Sequence, residues 1–282
     1  MGGNAFENTS PIKREHIQYT LFDLGRDLSN LKNCNLGDLT KLMLGSAGKK
    51  PISGDIDLNI DNTKYHIGKV ETALRQLLGA KNVKYKPGTN QIFTSVHVPS
   101  TGERVQVDFM FGKKDWQEFS YFSSPESAYK GLYRTELLKA ITAYTSDYTS
   151  FEDGELIARV GPTFFHDRGC IWRNRYRPFR KVGDKTKRVL AFKEVGTDEF
   201  DKEFPDCKIL TTPFTIDTPG TFCFYFMGNS VKPSEVETYE GIRDLVLKDP
   251  VRFDKDVLFK IYEERLLSLK QPIPDEIKND FK

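Results

Sequence analysis

The sequence predicts an α/β (α+β) fold in two lobes, and three observations carry that prediction. Segments with helical apolar spacing alternate with short apolar strands through the first half. Carboxylates stand inside two of those strands, although Asp is a poor strand former. Beyond "SDYTSFEDGE" the alternation gives way to a hairpin, further strands and two helices. The 282 residues allow one large domain or two smaller ones, read here as 1–145 and 146–282.

In chain order, residues 1–12 read as a loose arm. "KREHIQYTLFDLGRDLSNL" spaces Ile17, Leu21, Leu24 and Leu28 as a helix does. "DLTKLMLG" reads as a short strand ending at Gly45, and "DIDLNI" as a second one. "YHIGKVETALRQLLGA" puts Ile67, Val70, Leu74 and Leu77 on one helical face and closes at Gly79. "QIFTSVHVPSTGERVQVDFMFG" reads as two strands joined at "PSTGE". "SPESAYKGLYRTELLKAITAY" reads as a helix starting at its Ser-Pro. "SDYTSFEDGE" breaks the pattern and marks the boundary. "LIARVGPTFFHDRGCIWRNRYRPF" reads as a hairpin turning at Asp167–Gly169, and "TPFTIDTPGTFCFYFMG" as one or two more strands. "KPSEVETYEGIRDLVLKDP" and "FDKDVLFKIYEERLLSLKQP" read as helices, the second stopped by Pro272.

Composition excludes several classes. A formal net charge of +2 does not by itself imply nucleic-acid binding. No apolar run approaches the ~18 residues of a membrane span, so no membrane partner is expected. The N-terminus lacks a signal-peptide core, and Phe6 stands where a myristoylation pattern needs Ser or Thr. Cys34, Cys170, Cys207 and Cys223 are scattered without a C-x-x-C, which fits reduced thiols in a cytoplasm (a host cytoplasm were the chain virus-encoded) and not a zinc site.

The stretch "LMLGSAGKKPISGDIDLNID" carries the chemistry. A P-loop reading of "GSAGKK" fails twice, because Met43 stands at the first Gly position and Lys50 replaces the magnesium-binding hydroxyl. On a strand, Asp55 and Asp57 project from one face. Adjacent anions repel, and hard divalent cations such as magnesium would keep them ionised. Gly45 and Ser46 just upstream could offer backbone N–H groups and a hydroxyl to phosphates. Asp108, an acid inside the apolar "RVQVDFMF", could supply a third carboxylate. Each of these acids alone is more often a turn or a solvated edge; the specificity lies in their combination.

Gly45-Ser46, then Ser53-Gly54-Asp55-Ile56-Asp57-Leu58, then Asp108, resembles the DNA polymerase beta-type nucleotidyltransferase superfamily across residues 38–112. The resemblance implies a polymerase beta-like catalytic lobe with a mixed sheet. It implies that Asp55 and Asp57 bind two magnesium or manganese ions, with Asp108 binding the catalytic ion and helping activate the attacking hydroxyl. Gly45, Ser46 and Ser53 would hold a nucleoside triphosphate, whose α-phosphate is attacked while pyrophosphate leaves. The chain departs from the family X polymerases in carrying Gly48, Lys49 and Lys50 where those have an arginine-rich loop, and in lacking a helix-hairpin-helix. The resemblance is therefore to a template-independent member, not a templated repair polymerase.

Lys49 and Lys50 could meet the triphosphate or remain solvated. Lys130 and Arg134, at i, i+4, could reach a phosphate or pair with Glu126. From Arg168 to Lys193 the chain carries ten Lys/Arg against one Asp. On a strand, Arg173, Arg175 and Arg177 would share one face and Trp172 and Tyr176 the other. With Arg168 and Arg180 they could hold an RNA or single-stranded DNA end, or form a hairpin with an aromatic core side and a solvated basic side. The expected reaction is nucleotidyl transfer from a nucleoside triphosphate to a hydroxyl on an RNA or DNA end. The alternatives are transfer to a protein or small molecule, or a non-catalytic nucleotide-binding protein of the same fold.

Overall fold

The computed structural model describes residues 5–31, 34–129, 131–146, 148–153, 155–182, 185–188, 192–194, 197–206 and 214–281. It is mixed α+β, and its contacts divide the chain into two compact units, Met1–Gly131 with His166–Arg168, and Leu132–Phe165 with Gly169–Lys282.

The first unit contains β1 (Ile12–Lys13), α1 (Arg14–Ser29), β2 (Ile52–Ser53), β3 (Asp55–Asp61), α2 (Ile67–Leu78), β4 (Val83–Lys86), β5 (Gln91–His97), β6 (Arg104–Gly112) and α3 (Lys114–Ser120). Its main sheet runs β3-β6-β5-β4, with β3 parallel to β6 and the other pairs antiparallel. The helical spacing of α1 is realised in full, since Ile17, Leu21, Leu24 and Leu28 are all buried. They share one core with Val70 and Leu74 of α2 and with Ile56, Leu58, Ile60, Val107, Phe109 and Phe111 of the central strands. Burying each such side chain contributes roughly 1.5–3 kcal/mol. Period-two alternation then sends Asp55, Asp57 and Asn59, with Gln106 and Asp108, to the sheet face opposite that core.

Three expectations for the chain up to Tyr144 are corrected. "DLTKLMLG" is not a strand but a 3₁₀ turn over Leu39–Leu42. Asp38 accepts a 3.1 Å bond from Thr40 N–H there, a local bond that competes with a sheet ladder. Met43 bridges to Leu58, and Leu44 N–H donates to the Asp57 carbonyl. The arm is not loose from Ala5 onward: Phe6 is buried, Ser10 N–H donates to the Arg104 carbonyl, and β1 pairs with β2. The helix expected from Ser124 starts only at Leu132, because Gly131 has φ +66, a left-handed conformation that a helix cannot pass through. Strand β4 and helix α3 were not anticipated.

The second unit contains α4 (Leu132–Tyr144), β7 (Tyr148–Glu152), β8 (Glu155–Phe165), β9 (Gly169–Tyr176), β10 (Phe179–Val182), β11 (Lys185–Arg188), β12 (Lys193–Glu194), α5 (Thr197–Glu203), β13 (Phe214–Ile216), α6 (Pro219–Phe226), α7 (Tyr239–Lys248), α8 (Lys255–Ser268) and α9 (Asp275–Asp280). Its sheet runs β12-β9-β8-β7, with β13 also on β9, and β10–β11 form a separate ribbon. The β8–β9 hairpin turns where the sequence placed it. "SDYTSFEDGE" supplies β7 rather than a break, and the helix ending at Ser268 stops short of Pro272. "TPFTIDTPGTFCFYFMG" gives one strand and then a helix. Thr218 caps α6 by accepting a 3.1 Å bond from Thr221 N–H, and Pro219 at its start favours helix over the β-propensity of the aromatics. Cys34, Cys170 and Cys223 are buried free thiols, whereas Cys207 lies outside the described residues.

Candidate metal and nucleotide centre

Asp57 and Asp108 stand directly side by side in the parallel β3–β6 register, and Asp55 stands beside Gln106. One carboxylate oxygen from each of Asp55, Asp57 and Asp108 lies within 4.8 Å of the others. Asp55 and Asp57 are half-buried and Asp108 is 5 % exposed. Burial, together with the neighbouring Asp55, raises Asp57 to about 7. Burial, then Asp57, raises Asp108 to about 8, partly opposed by the Gln106 hydrogen bond. Gln106 Nε2 donates to both Asp108 oxygens at 2.9 and 3.0 Å, while its Oε1 accepts from Ala5 N–H at 2.8 Å. The arm therefore sets the orientation of the amide that holds Asp108.

Three convergent carboxylates form a hard, all-oxygen donor set, and the upward shifts come first from burial and then from mutual repulsion, both of which a divalent cation would offset. The set fits magnesium or manganese. Ser53, two residues before Asp55, is buried, and its Oγ has no hydrogen-bond partner among the described residues.

The Gly45–Lys50 loop adjoins the carboxylates and is tied down on several sides. Leu44 N–H donates to the Asp57 carbonyl at 2.8 Å. Gly45 has φ +64, and a Cβ there would come within 3.5 Å of Asp57 Oδ2. Ser46 closes a turn by accepting from Lys49 N–H. Lys49 Nζ donates to the Ser123 carbonyl at 2.9 Å and lies over the Phe122 ring. Lys50 is exposed. Arg14, at the start of α1, donates through Nη2 to the Lys49 carbonyl (2.8 Å) and through Nε to that of Lys50 (3.2 Å). A cavity of about 490 Å³ opens against the loop, lined by Arg14, Gln18, Thr40, Met43, Gly45 and Lys49 among others.

Tyr121 stacks on His166 with ring centroids 4.6 Å apart, and burial with Asp57 and Asp167 pushes its hydroxyl well above the usual range. Asp167 accepts from Asn90 Nδ2 at 2.7 Å and pairs with Arg168 at 2.8 Å. Gly112 admits this turn, since a Cβ there would come 2.6 Å from the Asp167 carbonyl oxygen.

In the second unit, Arg134 is buried, donates to the Val236 carbonyl at 3.2 Å, and is drawn down to about 10 by burial. Lys130 lies outside the described residues. Trp172 stacks on Phe214 (5.3 Å), and Tyr176 meets Phe200 and Phe204 edge-on, so both rings are engaged in packing. Arg173, Arg175 and Arg177 lie on or just beyond β9, and Arg180 is exposed on β10. Sequence reading missed Arg14, Gln106 and Tyr121. Arg14 and Gln106 act through backbone groups or through another side chain, which leaves no motif. Tyr121 follows a short helix that was itself missed.

No protein-family model matches the chain, and no curated protein matches it. Among solved structures it is similar to the crystal structure of Leishmania infantum polymerase beta, a ternary P/T complex, at 11 % identity and a TM-score of 0.33. That match covers 53 % of this chain and only 58 % of the polymerase chain. No described helix is long and apolar enough to cross a membrane.

Proposed function

We propose that the chain is a metal-dependent nucleotidyltransferase. It moves a nucleoside monophosphate from a nucleoside triphosphate to a hydroxyl on an RNA or DNA end, without a template. The observation that carries this reading is the convergence of Asp55, Asp57 and Asp108 beside the Gly45–Ser46 loop. Two ions held by these carboxylates would supply stabilisation of the attacking and leaving oxygens. Gln106 keeps Asp108 aimed at the attacking hydroxyl. Gly45, Ser46 and Ser53 receive the phosphates, and Arg14 fixes the loop that presents them. The first unit is catalytic and the second binds the acceptor.

Label transfer tests the reading. The protein is incubated with each α-labelled nucleoside triphosphate, magnesium or manganese, small RNAs, single-stranded DNA and a cell lysate, with Asp108→Asn alongside. Label on nucleic acid, absent with the variant, is the expected result. Label on a protein band moves the acceptor to protein. No label from any triphosphate overturns the reading.

Arg14 is a positioning residue, because it reaches the loop only through two carbonyls. Arg14→Gln should raise the KM for triphosphate about 5–10-fold and leave kcat within about twofold, as expected when binding rather than transition-state contact is lost. Arg14→Lys should recover part of the loss. A fall in kcat at constant KM would assign Arg14 a different role.

A further inference from the structure

Asp108 is held by an amide whose own orientation is decided elsewhere. Gln106 stands two residues away on β6, 3 % exposed, and its Nε2 spans both Asp108 oxygens at 2.9 and 3.0 Å. A side-chain amide can turn over and present either its NH2 or its oxygen. Ala5 settles which, because its N–H can only donate, and it takes Gln106 Oε1 at 2.8 Å. That bond leaves the NH2 end for Asp108. Turned over, the amide would set its oxygen against those of a carboxylate that must be anionic to hold a cation.

Ala5 is in turn fastened from the far edge of the sheet. Lys84 on β4 donates through Nζ to the Ala5 carbonyl and lies 4.6 Å from the centroid of the buried Phe6 ring. Thr9 Oγ1 donates to the Phe6 carbonyl at 3.0 Å, and Ser95 Oγ on β5 donates to Asn8 Oδ1 at 3.4 Å. The registers set Lys84 opposite Phe93 and Phe93 opposite Asp108. Lys84 is thus two strands from the carboxylate, ~10 Å at the usual strand spacing. A lysine on an edge strand ordinarily points into water and guards the edge. This one is drawn onto a carbonyl and a ring of the same short segment.

We propose that Ala5–Thr9 is a positioning strap, clasped by Lys84, which keeps Gln106 turned so that Asp108 is held ready for a divalent cation. Lys84 is therefore a positioning residue for a metal site two strands away. Releasing the strap lowers cation affinity while all three carboxylates remain. The inference rests on the metal part of the proposed function and not on nucleotidyl transfer itself.

The test is Mn2+ binding to the whole chain, read from the free-ion EPR signal at one pH and without nucleotide. Gln106→Met should weaken binding about tenfold or more, the usual cost of losing a group that orients a metal ligand. Lys84→Met should weaken it about threefold or more, the scale of one hydrogen bond. Lys84→Arg keeps a donor and a cation over the ring, and should stay within about twofold of wild type. The sign decides, because by Coulomb attraction alone the loss of a cation tightens Mn2+ binding or leaves it unchanged. Adding Lys84→Met to Gln106→Met should cost no further affinity, since both act through one element. Ala5→Pro deletes the N–H without touching the core; it should weaken binding as Lys84→Met does, and serves if Gln106→Met does not fold. A merely structural role would lower the melting temperature of Lys84→Met in EDTA and leave its Mn2+ affinity alone. Wild-type or tighter binding in Lys84→Met, or additive losses in the double variant, overturns the strap. No Mn2+ binding by wild type counts against the carboxylate site itself, and the strap falls with it. The expected binding losses in a protein that shows no transfer leave the strap standing and count against the transfer reading alone.

Discussion

Asp57→Asn should abolish nucleotidyl transfer, by at least about a thousandfold, while the metal-free protein stays folded. The change removes one charge and almost no volume. Asp57 stands beside Asp108 in the register, with Asp55 two residues away on the same face, so its loss breaks the donor set at its centre. The burial cost of the Asp57 charge and its repulsion from Asp55 both disappear in the variant. Its melting temperature in EDTA should therefore match or exceed wild type, and the stabilisation that millimolar magnesium gives wild type should vanish. Three readouts thus move in different directions, which a general folding defect cannot imitate. Wild-type turnover in Asp57→Asn would remove the metal assignment, and a large drop in metal-free stability would mean that the carboxylate serves the fold.

The centre was legible in the sequence where periodicity alone decides geometry. Asp55 and Asp57 alternate with Ile56, Leu58 and Ile60, so burying the apolar set aims the acids the other way. Asp108 follows the same rule on β6 between Val107 and Phe109. The parallel pairing that makes Asp57 and Asp108 neighbours was not legible, because it depends on a crossover through α2, β4 and β5 that no local pattern specifies. Local propensity misled where one backbone feature outweighed it. Gly131 in a left-handed conformation delays α4, and the Thr218 cap with Pro219 makes "TFCFYF" a helix. In "RGCIWRNRYRPF" the alternation was visible and its two sides were correctly paired. That Arg175 stands between Arg159 and Glu194 required knowing the registers of β8 and β12 on β9.

Stability should respond to pH and magnesium in opposite senses. Asp57 and Asp108 have folded-state values of about 7 and about 8, whereas an unfolded Asp titrates near ~4. Between these values the folded protein holds protons that the unfolded chain releases, so stability falls as pH rises. The contribution is complete below ~4 and is lost as pH rises through the folded values. Because Asp57 is half-buried and partly screened, the loss between about pH 5 and about pH 8.5 should be on the order of 1–3 kcal/mol, several degrees in melting temperature. Divalent ions bind only the ionised carboxylates, so magnesium should stabilise little near pH 5 and most near pH 8.5, flattening the slope. Asp108→Asn should flatten the metal-free slope as well, because it removes one of the two raised groups. Thermal melts in EDTA and in magnesium across this range decide the matter. A metal-free melting temperature that rises with pH, or a magnesium increment equal at both ends, would mean that these carboxylates are not the cation-binding cluster their geometry describes. A falling metal-free slope cancelled by magnesium would tie the raised acids, the donor set and the cation to one physical cause.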